Sequence, residues 1–242
     1  SGVGRALALE FARNQARVVC VGRRKERLDE TVRLIESEGG TGLAVAADVT
    51  DRRQVDQMAA RALEQFGRID ILFNNAGSFA ALGTLWEVDP DQWWNDVTVN
   101  VLGPMLCCRA VLPDMIQRNS GIVINMAGGN QIPGGTGYSC SKVAVARMTE
   151  LLARELERKG SAVLAVVMGP GFVRTEMTEL QITTEEGRYW LPSSADAIAR
   201  GQDRPPEDCA RSTMELIRLA RPSFNGKTFG AGTDFRKIIE EG

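Results

Sequence analysis

Short apolar runs alternate with amphipathic stretches along almost the whole chain. Residues 6–12 repeat apolar side chains at helical spacing, and residues 16–21 form an apolar run that ends at Gly22, the length and composition of a strand. Residues 25–38 return to helical spacing and stop at Gly39-Gly40. Residues 43–47 predict a strand closed by Asp48-Val49, residues 51–66 a helix stopped by Gly67, and residues 69–73 a strand leading into Asn74-Asn75-Ala76-Gly77. The pattern then predicts one long helix over 91–118, a strand over 121–126, a loop over 127–136, a helix from Tyr138 to about Lys159 and a strand over 161–168. Between 176 and 204 the periodicity fails, and so long a segment after a strand end reads as a lid or substrate loop. Pro205-Pro206-Glu207 opens a last helix that stops before Pro222, and Asn225-Gly226 turns the chain into a final strand over 227–230.

Strands that alternate with helices predict an α/β fold, a Rossmann-like doubly wound parallel sheet with helices on both faces. No repeat, linker or low-complexity run breaks the alternation, so residues 1–242 are read as a single domain. Ligands of such sheets bind where the carboxyl ends of the strands open. Gly22, Asp48 and Asn74 all fall on that edge.

Composition narrows the chemistry. With 43% hydrophobic residues, 25% charged residues and a net charge of −2, the chain has the profile of a soluble globular protein. It carries no charge excess for nucleic acid or an anionic membrane surface. The longest apolar runs, such as 162–168, are too short to span a bilayer. Histidine is absent, which removes Ser-His and Cys-His nucleophiles and His-based metal sites together. The five cysteines form no C-x-x-C pair, which argues against a disulfide framework or a zinc site. The expectation is a cytoplasmic protein with reduced thiols and no metal.

Acid–base work therefore falls to Tyr, Lys, Asp, Glu or Cys. Tyr138 and Lys142 stand four positions apart at the start of a helix, on one face. A cation held beside a phenol favours the phenolate and would bring Tyr138 down from about 10 into range for proton transfer. A buried tyrosine beside a solvated lysine is the plain alternative. At the other end of the chain, Ser1-Gly2-Val3-Gly4 opens a helix in the manner of a phosphate-binding turn. A dinucleotide fingerprint has a strand and a further glycine ahead of this point, so both are expected before Ser1. After the next strand, an acidic residue suits the ribose hydroxyl of NAD and an arginine the phosphate of NADP. This chain has Gly22-Arg23-Arg24 there. A guanidinium fork fits a phosphate, so NADP(H) is favoured with NAD(H) kept open, and Arg23, next to the strand, is the first candidate.

Gly2-x-Gly4, Asp48-Val49, Asn74-Asn75-Ala76-Gly77, Asn100, Tyr138-x-x-x-Lys142 and Pro170-Gly171-x-Val173-x-Thr175 occur in an order and spacing that resembles the short-chain dehydrogenases/reductases, over essentially the whole chain. The resemblance implies hydride transfer between nicotinamide and a carbonyl/alcohol pair. Tyr138 would exchange the proton with the substrate oxygen. Lys142 would lower the tyrosine's pKa and hold the nicotinamide ribose, and Asn100 would hold a water linking Lys142 to solvent. Asp48-Val49 would meet the adenine, Asn75-Ala76-Gly77 the middle of the cofactor, and Val173 with Thr175 the carboxamide. The resemblance also implies pairing through helices 91–118 and 138–158 into a homodimer or homotetramer.

One departure stands out. The family places a serine after the strand that precedes the tyrosine, and here those positions read Ala127 and Gly128. A lost donor to a developing oxyanion costs about 10²–10³ in rate. Asn130, Gln131, Thr136 or a backbone N–H of the glycines are the candidates to replace it. The sequence thus supports two readings. One is an NADP(H)-dependent oxidoreductase of a small, fairly apolar carbonyl or alcohol, with Trp86, Trp94 and Trp190 as candidate pocket walls. The other is a cofactor-binding module without efficient catalysis, a sensor or scaffold, and rescue of turnover by Ala127→Ser or Gly128→Ser would separate them.

Overall fold

The computed structural model describes residues 1–129 and 131–241, apart from the side chain of Leu180; Asn130, one candidate donor, lies outside the described residues. The chain runs α1 (Gly2–Arg13), β1 (Arg17–Gly22), α2 (Lys25–Ser37), β2 (Thr41–Ala46), α3 (Arg52–Phe66), β3 (Ile71–Asn74), α4 (Pro90–Val97), α5 (Gly103–Arg118), β4 (Ile122–Met126), α6 (Thr136–Arg158), β5 (Leu164–Gly169), α7 (Glu176–Thr183), α8 (Glu185–Trp190), α9 (Pro192–Ala199), α10 (Pro206–Leu219), β6 (Thr228–Gly230) and α11 (Phe235–Glu241). Every strand pairing is parallel: β1 with β2, and β3, β4, β5 and β6 in that order. Among the described residues these form two hydrogen-bonded sheets, with no ladder between β1 and β3.

Strand side chains point alternately to opposite faces, and the core follows. Ile122, Ile124 and Met126 of β4 join Leu7 and Phe11 of α1, Ile35 of α2, Leu216 of α10 and Phe235 of α11. Between them, Val123 packs on the other face with Ala59 of α3, Val111 and Met115 of α5 and Leu156 of α6. The first cluster also takes Val18 and Cys20 of β1, so one hydrophobic core serves both sheets. The doubly wound architecture is as the alternation predicts.

Local signals set the helix ends. Asp51 accepts from the N–H groups of Arg53 and Gln54 at the start of α3, and Gly67 closes that helix at φ 79°. Asp89 caps α4 ahead of Pro90. The structure refines two expectations. The long helix predicted over 91–118 is interrupted by a π-turn at Thr98–Leu102, a feature that concentrates at functional sites. The irregular segment 176–204 is helical over most of its length, as α7, α8 and α9. Each is too short to show a full amphipathic period, which hid them in the sequence. The same holds for α11. The stretch Pro90–Arg118 is long and apolar enough to cross a membrane by composition, yet half of its apolar window is buried inside the protein, as the α5 residues of the core require.

Candidate active site

The carboxyl ends of β1, β3, β4 and β5 bring the predicted residues to one edge. Glycine is dictated at two of them by close approach. A Cβ on Gly4 would lie 2.7 Å from Asn75 Nδ2, and one on Gly2, whose φ is +50°, would lie 3.1 Å from Thr175 Cγ2. The turn of α1, the Asn75-Ala76-Gly77 segment and the Thr175 segment therefore meet, as the motif spacing implies. Val3 packs on the core behind them. Val49, Asn74 and Ala76 line one hollow with Gly103, Pro104 and Cys107. The Asp48 carboxylate accepts from the Thr50 N–H at 2.9 Å and its hydroxyl at 2.7 Å, bonds that hold it below the usual carboxylate range. Beyond β5, Pro170 leads to Gly171 at φ 75°, and Val173 is buried against Arg204.

The arginines divide in a way the sequence did not foresee. Arg24, not Arg23, crosses the opening: it donates to the Ser1 hydroxyl at 3.1 Å and to the Glu176 carboxylate at 2.9 Å. Arg27 grips the other oxygen of Glu176. Hydrogen bonds from these two guanidiniums, Arg24 first, pull the Glu176 carboxyl down to about 2. Arg23 makes no ion pair among the described residues, and its charge bears on Asp48.

Tyr138 lies in the first turn of α6, buried at 9% exposure, with its ring stacked on Phe79 at 4.4 Å and 16°. Lys142 shares its helix face, as the spacing predicts, with Nζ 5.5 Å from the ring centroid. The ammonium donates to the Met126 carbonyl at 3.2 Å. Asn100 sits on the π-turn, where its Oδ1 accepts from the Ser78 N–H at 2.8 Å. Its Nδ2 donates to the Ser78 carbonyl at 2.8 Å and to the Ser141 hydroxyl at 2.9 Å. Asn100 Oδ1 and Lys142 Nζ flank Gly77, 3.3 Å and 3.8 Å from where its Cβ would be.

The electrostatics overturn the expectation that Lys142 holds the phenol low. Burial first, and the charge of Asp96 second, push Tyr138 up to about 12. Burial also brings Lys142 down to about 8. The lysine stands over the ring face and spends a hydrogen bond on Met126, so it does not offset the desolvation of the phenol.

The missing serine has a geometric counterpart. A Cβ on Gly128 would overlap the Tyr138 hydroxyl and stand 3.2 Å from Lys142 Cε. The phenol thus occupies the space a side chain at 128 would need. Of the candidate substitutes, Thr136 is engaged through its hydroxyl by Trp93 Nε1 at 3.0 Å, and Gln131 is exposed. Trp86 and Trp94 are also largely exposed. Trp190 of α8 lies against Gly134. Sequence reasoning missed Phe79, Glu176 and Asp96; each is an isolated residue whose role comes from a distant partner, and no spacing signals it.

A short chain dehydrogenase family model matches residues 1–186. The chain belongs to the short-chain dehydrogenase family. Relatives of this short-chain dehydrogenase include one from Pseudocercospora fijiensis, 40% identical over 182 residues, 73% of this chain and 58% of that one. The 3-oxoacyl-(acyl-carrier-protein) reductase FabG of Thermotoga maritima is 35% identical over 95% of this chain and 92% of its own. Among solved structures, a variant of actinorhodin polyketide ketoreductase with NADPH superposes with TM-score 0.86 at 24% identity, covering 95% of this chain and 91% of its own. A metagenomic short-chain oxidoreductase in complex with NADP gives TM-score 0.75 at 26% identity, covering 95% and 92%. The chain spans less than two thirds of the fungal relative's length.

Proposed function

We propose that this short-chain dehydrogenase is an NADP(H)-dependent oxidoreductase that moves a hydride between nicotinamide and a small carbonyl or alcohol, with Tyr138 as the general acid and base. The observation that carries the reading is the meeting of Tyr138, Lys142 and Asn100 with the glycine turn at one sheet edge. The edge also fits the cofactor. Gly2 and Gly4 put no side chain of their own at the positive end of α1, which suits a pyrophosphate. Ser1, Val3 and Gly77 would contribute to binding there, Asp48 and Val49 would face the adenine, and Pro170, Gly171, Val173 and Thr175 the carboxamide. When bound, the nicotinamide supplies or takes the hydride.

The chain's own residues handle the proton. A phenol held well above neutral pH arrives protonated and can give its proton to a carbonyl oxygen, so reduction is the favoured direction near pH 7. Lys142 would hold the ribose hydroxyls with the ammonium that now meets Met126. Arg24 and Arg27, with Arg23 beside them, favour NADP(H) over NAD(H), since a guanidinium pair suits a phosphate dianion. The NADPH- and NADP-bound neighbours share this fold. The free and mostly buried cysteines fit a reducing compartment, and the cytoplasm is the proposed location.

Turnover of NADPH and NADH across a panel of small ketones, aldehydes and their alcohols tests the assignment. Oxidation of NADPH by at least one carbonyl is expected. Tight NADPH binding with no turnover would instead favour the cofactor-binding module, the reading that the bare Gly128 supports.

Two further outcomes follow from the site and its surroundings. Glu176 occupies the guanidiniums that a 2′-phosphate would need, so Glu176→Gln should tighten NADPH binding roughly two- to five-fold, the scale of an exposed ion pair. Fluorescence titration checks this, with NADH affinity moving less. The outer faces of α5 and α6 expose Met105, Ile116, Val143 and Leu151. Sedimentation is expected to find a homodimer or homotetramer formed through them; a monomer at micromolar concentration would end that assignment.

A further inference from the structure

Asp96 is a fully buried carboxylate with no role in the proton transfer described above. It stands in α4, four positions before Asn100, and grips one short loop. The Ser78 hydroxyl donates to it at 2.5 Å, the Ala80 N–H at 2.9 Å and 3.0 Å to its two oxygens, and the Ala81 N–H at 3.0 Å. All of these donors are neutral. An anion buried without a countercharge is costly to keep, and a neutral side chain could cap the same N–H groups. The loop it holds is also bonded by Asn100 through Ser78 and carries Phe79, whose ring lies on Tyr138.

The charged groups that bear on the phenol are therefore opposed. Lys142 stands over the ring from its own helix, and the charge of Asp96, on α4, adds to burial in raising the phenol. Phe79 stacks on the ring and Gly128 abuts its hydroxyl, and neither residues 75–81, residues 127–135 nor strand β4 include an ionisable residue. Helix α8 contributes Trp190, against Gly134.

We propose that Asp96 is a positioning residue that holds Phe79 on the Tyr138 ring and, through its buried negative charge, disfavours the phenolate further than burial does alone. The proposal rests on Tyr138 as the proton donor. A negative charge near a phenol disfavours the phenolate, and the direction agrees with the push that Asp96 adds to burial at Tyr138.

The chain contains two tyrosines, and Tyr189 is 74% exposed. Tyr189→Phe therefore leaves Tyr138 as the single phenol whose ionisation changes the ultraviolet absorbance. The titration is read within milliseconds of a pH jump, before alkaline unfolding. In this background, Asp96→Asn should lower the midpoint by about half a pH unit or more. The asparagine can still accept from Ala80 and Ala81 and donate to the Ser78 oxygen, so the loop is retained. Ser78→Ala removes one donor but keeps the charge, and its midpoint should stay at or above the parent value. An unmoved midpoint in Asp96→Asn, or a fall in Ser78→Ala, overturns the proposal; the second alone decides if Asp96→Asn does not fold. A lowered midpoint together with full turnover by Tyr138→Phe would keep the coupling and remove the acid–base reading. An unmoved midpoint with an inactive Tyr138→Phe would do the reverse.

Discussion

Tyr138→Phe is expected to lower kcat for NADPH-dependent carbonyl reduction by roughly 10²–10⁴-fold, the worth of a positioned general acid. The change removes one oxygen. The ring keeps its stack on Phe79, so the melting temperature and NADPH affinity should stay close to those of the parent. That separation of kcat from binding and stability is what distinguishes a proton donor from a packing residue. The pH dependence gives a second signature. With the phenol at about 12, the phenolate fraction rises tenfold per pH unit below that value, so alcohol oxidation should climb with pH through the alkaline range. Carbonyl reduction, which uses the neutral phenol, should not require that climb. Full activity in Tyr138→Phe would remove Tyr138 from the chemistry.

Gly128→Ser is expected to reduce turnover rather than to rescue it. A side chain at 128 overlaps the Tyr138 hydroxyl and crowds Lys142. Relief requires either group to move, and a displacement of about 1 Å at the reacting atoms can cost about 10²-fold. Forcing atoms into a filled site also destabilises by about 1–3 kcal/mol, so the melting temperature should fall with the rate. Ala127→Ser is the control. Ala127 already carries a Cβ and bonds through its N–H to the Met168 carbonyl at 2.8 Å, so a hydroxyl there leaves Tyr138 in place and the rate near the parent value. Higher turnover in Gly128→Ser would mean that the tyrosine has room to give way and that the missing serine is a true loss.

Position 128 illustrates how far reading the residues can go. The departure from the family pattern was legible at once, because it is a matter of identity and spacing. Whether it left a gap was not legible, because the answer depends on where a side chain ten positions later places its oxygen. The pKa of Tyr138 has the same character. Tyr138 and Lys142 share a helix face by local periodicity alone, but the sign of the shift follows from burial, from Met126 taking the ammonium's bond, and from Asp96 on another helix. Arg24 and Arg23 are neighbours in sequence, and only the position of Glu176, some 150 residues on, selects Arg24.

By itself, the sequence determined the alternation of strands and helices, the parallel doubly wound fold, and the motif residues brought to one edge of the sheet. These depend on short-range periodicity, caps and glycine turns, whose energetics are local. The tertiary structure alone decided which arginine is engaged, that 176–204 is a set of short helices, that Gly128 is filled by a phenol, and that the buried Asp96 carboxylate holds the loop carrying Phe79. Desolvation, charge and close packing depend on distances between residues far apart in the chain, and no pattern of types along it records them.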